Sequence, residues 1–347
     1  MKFNPFGYSI RTRLIQLISA AIKIIENNRT MTVAKLIKSS SRTGFSFELL
    51  PPLKGNSIAK VFNTIDQLKD FNPLYINITS HRDEMVYKDM QKGLFERKVV
   101  RKRPGTVAVA ASIQNSYGIK VVPHIICSGF TKSETEYALI DLNFLGIHDV
   151  LLLRGDNSNR GHLAKANVEG NNYAIDLVNQ INSLNSGHFL DGTLLDAFET
   201  PFSYGIAGYP EKHEEAPNMD SDIYWLKQKV DAGAEYIVTQ MFFDNEKYFD
   251  FVKRCRANGI TIPIVPGLKP ITLLNQLTVL PKIFHVDIPE DFAKEIRKCK
   301  DNDAVKQVGV EWCVQQSKEL IAHNVPILHF YTMMATESSR KVAEAIY

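Results

Sequence analysis

The chain has 347 residues, with 41 Lys and Arg against 38 Asp and Glu, a formal net charge of +3, 44% hydrophobic residues and 23% charged ones. This balance is ordinary for a globular protein with a sizeable core, and it shows none of the clustered basic charge that nucleic-acid binding requires. The four cysteines, Cys127, Cys255, Cys299 and Cys313, lie far apart with no C-x-x-C spacing, which points to reduced thiols, a cytoplasmic location and no zinc site.

The N-terminal stretch stands apart. Before Glu48 its only acidic residue is Glu26, and its apolar run from Leu14 to Ile25 is broken by Lys23. That run is too short to span a bilayer, and no small-residue cleavage site follows it, so neither a membrane anchor nor secretion is expected. Residues 1–40 read as an N-terminal extension, with Met31 offering a second start and residues 1–30 dispensable. Residues 41–347 read as a single domain.

From Gly44, the segment GFSFELLPP is a strand that Pro51 and Pro52 end, with Glu48 inside it. Ser57 to Asp70 has apolar residues at helical spacing, and Tyr75 to Thr79 is the next strand. Thr106 to Asn115 suits a helix, Val121 to Cys127 a strand carrying His124, and Ser133 to Leu145 a helix. In Asp149 to Asp156, DVLLLRGD, four consecutive apolar residues mark a strand buried on both faces. That strand stops abruptly at Arg154, Gly155 and Asp156.

The rhythm continues with a helix over Asn172 to Leu184, a Gly-containing insertion from Asn185 to Pro201 and a strand over Tyr204 to Tyr209. Asp222 to Ala232 is helical, Tyr236 to Phe243 a strand, Lys247 to Ala257 a helix and Ile262 to Leu268 a strand. Helical pattern from Pro289 to Ile321 breaks near Asp301, and Ile327 to Thr332 is the last strand before a closing helix. Eight strands alternating with helices, and no linker among them, predict one (β/α)₈ barrel.

In such a barrel Glu48, Thr79, His124, Asp156, Tyr209 and Gln240 share the end that hosts chemistry, each from a different strand. A Glu within an apolar strand either pairs with a cation or can serve as a proton donor. Gln240 offers a donor and an acceptor beside Met241, Phe242 and Phe243, a pairing suited to a flat heterocycle. Tyr209 and His213 lie in GYPEKHEEAP, and Asp222 and Lys229 in the helix behind it. These residues are suited to a ribose and phosphates, although no G-x-G-x-x-G or P-loop is present. The residues alone define a barrel enzyme for a planar, phosphate-bearing ligand.

The segments FSFELLPP, PHIIC, LLLRGD, GYPEKHEEAP, KVDAGAEYIVTQMFFD, PGLKP and HFYT, in this order, resemble the methylenetetrahydrofolate reductase family. The resemblance implies an FAD-dependent barrel that uses NADH or NADPH to reduce 5,10-methylenetetrahydrofolate by ping-pong hydride transfer. A barrel face can support self-association, so a homo-oligomer is expected. It implies that Glu48 is the general acid and that Asp156 contacts folate near the flavin and tunes it. Gln240 and Gln276 are implied as substrate contacts. Thr79, His124, Arg154, Gly155, Asp156, Tyr209, His213, Ala216, Asp222 and Lys229 fall on its cofactor-binding positions. The chain departs from the family pattern at Ser80 to Arg82, at Trp225 and Gln228, at Leu280 in place of an aromatic residue, and at Ala335 in place of an arginine, with Arg340 one turn further on. With a closing helix ending at Tyr347, no appended regulatory module is expected. Two alternatives stand beside this reading, another FAD-binding barrel such as a proline dehydrogenase and a non-catalytic folate or flavin sensor.

Overall fold

The computed structural model describes residues 31–90, 93–155, 169–333 and 336–347. In chain order its first half comprises α1 (Val33–Ser39), β1 (Gly44–Leu49), α2 (Ala59–Leu68), β2 (Tyr75–Ile78), β3 (Glu84–Asp89), β4 (Phe95–Val100), α3 (Thr106–Tyr117), β5 (Val121–Ile126), α4 (Lys132–Phe144) and β6 (Asp149–Leu153). The second half comprises α5 (Ala174–Asn185), β7 (Ser203–Gly208), α6 (Met219–Asp231), β8 (Tyr236–Met241), α7 (Asn245–Ala257), β9 (Ile264–Leu268), α8 (Gln276–Phe284), α9 (Glu290–Arg297), α10 (Asn302–Ala322), β10 (Ile327–Tyr331) and α11 (Thr336–Ile346).

Eight of the strands close into a parallel barrel in the order β1, β10, β9, β8, β7, β6, β5, β2, the (β/α)₈ architecture expected from the sequence. Side chains alternate between its two faces because the strand period is two. Phe45, Phe47 and Leu49 of β1 point outward and join Ile76, Ile78, Leu152 and Phe330 in the shell between barrel and helices. Tyr75, Val122, Leu151, Tyr236, Val238, Val265 and Ile327 form the inner cluster.

The amino end of the barrel is plugged by α1. Val33, Ala34 and Ile37 join the inner cluster, although they lie in the stretch that composition sets apart as an extension. Thr32 caps the helix by accepting from Lys35 N, and Val33 N donates to Asp149 Oδ1 at 2.7 Å. The other oxygen of Asp149 meets Lys120 Nζ at 2.6 Å. The pair is nearly buried, so this carboxylate has both a counter-charge and hydrogen bonds in place of water.

Three features escape the strand-helix pattern. The exposed antiparallel hairpin β3–β4 interrupts the connection between β2 and α3. α8 fills the connection after β9. The helical pattern after Pro289 divides into α9 and α10 because the Asp301 side chain accepts from Ala304 N at 2.8 Å and starts a new helix.

Ile37→Ala should lower the unfolding free energy by roughly 2–5 kcal/mol in urea denaturation. A chain starting at Met31 should keep the wild-type midpoint. Loss of the fold on removal of residues 1–30 would show that they belong to it.

Candidate functional site

At the carboxyl end of the barrel a cavity of about 630 Å³ opens, a size suited to small-molecule ligands. Its lining brings together Glu48, Thr79, His124, Arg154, Gly155, Tyr209, His213 and Gln240. Glu48, His124 and Gln240 come from the carboxyl halves of their strands, Thr79, Arg154, Gly155 and Tyr209 from the first residues after theirs, and His213 from the connection after β7. Leu151, Leu153, Ala207 and Val238 add small apolar surface among them.

Glu48, with a side chain 13% exposed, lies with Oε2 3.5 Å from His124 Nε2. Burial, with a smaller push from His81, drives the His124 ring down to about 3. The contact at neutral pH is therefore a carboxyl group beside an uncharged imidazole, not an ion pair. His124 Nε2 is buried without a hydrogen-bond partner among the described residues. Below it, His329 Nδ1 pairs with Ser46 Oγ at 2.9 Å, and burial with His124 nearby holds this second ring at about 3 too.

The segment after β7 forms another wall. Tyr209 and His213 pack edge to face at 4.8 Å, and Asp222 Oδ2 accepts from His213 N at 2.9 Å. Glu215 N donates to His213 Nδ1 at 3.2 Å, which leaves Nε2 as the protonated ring nitrogen. Lys212 Nζ donates to the carbonyls of His213 and Ala216. Arg154 pairs with Glu215 and lies 5.0 Å over the Tyr173 ring. Ala216, Asp222 and Lys229 stand behind this wall and outside the lining. Burial lowers the Lys229 ammonium, and the Asp222 carboxylate opposes that shift.

Across the mouth, Glu214 meets His285 at 2.6 Å, and Glu211 Oε2 accepts from Asp287 N at 3.0 Å. Burial pushes the Glu211 carboxyl up to about 7. On β8, Gln240 Oε1 accepts from Met241 N at 2.9 Å, so the carbonyl side of the amide is engaged. Gln276 Oε1 accepts from Thr272 N at 2.7 Å and Leu273 N at 3.1 Å, and the residue is not in the lining.

Asp156 and Ala335 lie outside the described residues. Where the chain departs from the family pattern, His81 Nε2 pairs with Thr79 Oγ1 at 2.9 Å, and Ser80 and His81 line the cavity. Arg82 Nη1 donates to Ser128 Oγ at 3.1 Å. Leu280 is buried in the cluster around Phe243, whereas Phe284, one turn on, lines the cavity. Arg340 pairs with Glu344 on the surface. Lys282, Phe284, His285 and Tyr331 also line the cavity, beyond the residues expected from the sequence. Only Tyr331 had a signal, being two residues past His329 on the last strand.

On the cavity wall Arg154, Lys212 and the His213 Nε2–H, with the buried His124 nitrogen, supply the positive and donor groups that a flat, phosphate-bearing ligand needs. Among the described residues no cluster of side chains fits a metal ion. All four cysteines are free thiols, and no described helix is long and apolar enough to cross a membrane.

Together the closed parallel sheet and the cavity at its strand ends place the chain among (β/α)₈ barrels with a ligand-sized site at the carboxyl end. Residues 32–347 match the methylenetetrahydrofolate reductase family, and the chain belongs to that family. It is 29% identical to the 5,10-methylenetetrahydrofolate reductase of Salmonella typhimurium, over 92% of this chain and 96% of that one. It is 31% identical to methylenetetrahydrofolate reductase (NADH) 1 of Arabidopsis thaliana, over 88% of this chain and 48% of the plant protein. The chain thus spans about half the length of the plant relative. A solved structure of an uncharacterized Clostridium thermocellum protein, described as binding two copies of 5-methyl-5,6,7,8-tetrahydrofolic acid, shares the fold. It matches with a TM-score of 0.54 at 14% identity, over 90% of this chain and 98% of its own.

The neutral histidines make a prediction about acid. Unfolded, these rings take up a proton near the ordinary 6.5, but folded they resist until about 3. Between those values the unfolded chain binds more protons, so stability falls as pH falls. Glu211 acts in the opposite sense, because its folded carboxyl keeps a proton up to about 7 against the ordinary 4.5, and it gains stability on acidification. Two histidines outweigh one carboxyl. The melting temperature should drop from pH 6 to pH 4, and His329→Asn should flatten that drop. An unchanged slope in this variant would exclude the histidine as its source.

Proposed function

We propose that the chain is a flavin-dependent reductase of 5,10-methylenetetrahydrofolate, forming 5-methyltetrahydrofolate with hydride from NADH or NADPH by a ping-pong route. The observation that carries this reading is the nearly buried Glu48 carboxyl at the head of a cavity whose other walls are suited to a planar ligand with phosphates. FAD would be held by Thr79, His124, Arg154, Gly155, Tyr209 and His213, with Ala216, Asp222 and Lys229 supporting that wall from behind. Family resemblance adds Asp156 to this set. When bound, FAD supplies a two-electron carrier between the nicotinamide and the folate.

The chain's own residues then divide the work. Glu48 holds the proton that a nitrogen of the folate's five-membered ring must gain before that ring opens to an electrophilic iminium. His124, uncharged beside it, accepts or donates a hydrogen bond without adding charge. Gln240, its carbonyl engaged by Met241 N, keeps its NH₂ group to orient whichever substrate occupies the cavity. Phe284 and Tyr331 offer the aromatic surface that Leu280 does not. Asp222 and the Glu215 amide fix His213 so that its Nε2–H points a donor at an acceptor such as a phosphate or ribose oxygen. A single cavity shared in turn by nicotinamide and folate suits two half-reactions better than a ternary complex. The product would supply a methyl group to methionine synthesis.

Purified protein should show a flavin spectrum that bleaches on anaerobic addition of NADH and returns with methylenetetrahydrofolate. Glu48→Gln should keep the NADH half-reaction and slow folate reduction by about 10²–10⁴-fold. Colourless protein that takes up no FAD, or undiminished folate reduction in that variant, would overturn the assignment.

A further inference from the structure

Lys269 directly follows β9 and is only 3% exposed. Leu268 is level with Phe330, and Phe330 with Phe47. The next step along each strand therefore sets Lys269, Tyr331 and Glu48 in one row across β9, β10 and β1. Tyr331 and Glu48 line the cavity, whereas Lys269 stands one strand further round and outside the lining. A lysine almost never occupies such a dry place without a carboxylate to answer it.

The groups around this row are mostly uncharged at neutral pH. Burial holds His124 on β5 and His329 on β10 at about 3, pushes the Cys313 thiol on α10 up to about 12, and raises the Tyr331 phenol well above its ordinary value. Among these described groups Lys269 and Glu48 remain to carry charge. Burial lowers the Lys269 ammonium to about 8, while Cys313 and Glu48 pull it back up. The influence is mutual, so the ammonium must also favour the ionised form of Glu48.

We propose that Lys269 is a positioning residue for the acid step, its buried ammonium being the fixed positive charge against which Glu48 gives up its proton. The inference rests on the reading of Glu48 as the acid. When the carboxyl protonates the folate nitrogen, the proton leaves a carboxylate in a poorly screened interior, and Lys269 offsets that new charge without touching the substrate. Two strand spacings, about 10 Å, separate the backbones of Lys269 and Glu48 in this row. Over that distance a charge in such an interior moves a carboxyl by about one pH unit.

The test is the pH profile of single-turnover folate reduction by the NADH-reduced holoenzyme, in wild type, K269M, K269Q and K269R. In both neutral variants the midpoint at which activity is lost with rising pH should move up by about one unit. Below that midpoint the turnover rate should fall about threefold, as a weaker acid requires, with the KM for folate and the NADH half-reaction unchanged. K269R should retain the wild-type midpoint. Wild-type midpoints in both neutral variants would overturn the proposal.

A wild type that reduces no folate would instead defeat the functional reading, and ligand-free melting curves from pH 7 to 10 then decide the charge coupling. The folded ammonium titrates near 8, below its unfolded value, so the wild type should gain stability over K269M as pH rises past 8. In an E48Q background that gain should begin at lower pH, because the carboxylate no longer supports the ammonium. The same onset in both backgrounds would overturn the coupling.

Discussion

The closed interior of the barrel cannot hydrate what it encloses, so each polar group inside must be paired or uncharged. At the amino end the answer is pairing: Asp149 receives both Lys120 and the amide of Val33. In the middle it is neutrality, with His329 bonded to Ser46 and both histidines held without charge. At the carboxyl end the rule is broken in a controlled way, since Glu48 and Lys269 keep the capacity to ionise where the cavity begins. Chemistry is confined to the layer where the interior first meets a ligand.

The strands and the connections make different contributions. The strands deliver Glu48 and His124 from backbone whose register the neighbouring strands fix, whereas Gln240 sits where the register between β8 and β9 shifts. The β7–α6 connection is ordered by its own hydrogen bonds, from Asp222 to the His213 amide and from Glu215 to its ring. It is tied across the mouth to the region after α8 through Glu214 with His285 and Glu211 with Asp287. The polar wall therefore depends on contacts between two connections that are distant in sequence.

The barrel was readable because its signals are local: apolar runs such as VLLL in β6, helical spacing in α2, and punctuation by Pro51 and Pro52. The residues Glu48, His124 and Gln240 were readable for the same reason, as polar interruptions of apolar strands. Lys282, Phe284 and His285 were not, because nothing in their own stretch says that α8 folds back over the mouth. The hairpin β3–β4 was hidden by its charges, since a strand exposed on both faces has no buried side to impose alternation. α1 was hidden by composition: its seven residues look like part of a basic leader until Val33 and Ile37 are seen inside the barrel.

The pairing of β1 with β10 joins residues separated by 283 positions at Ser46 and His329. A ribosome must therefore pass β10 before the ring can shut, and until then β1 and the free edge of the growing sheet expose unpaired amides. The cavity, whose lining draws on both Glu48 and Tyr331, is correspondingly one of the last features to exist. A ligand for it can select only finished molecules, and an intermediate arrested before β10 would present a sticky edge in place of a binding site.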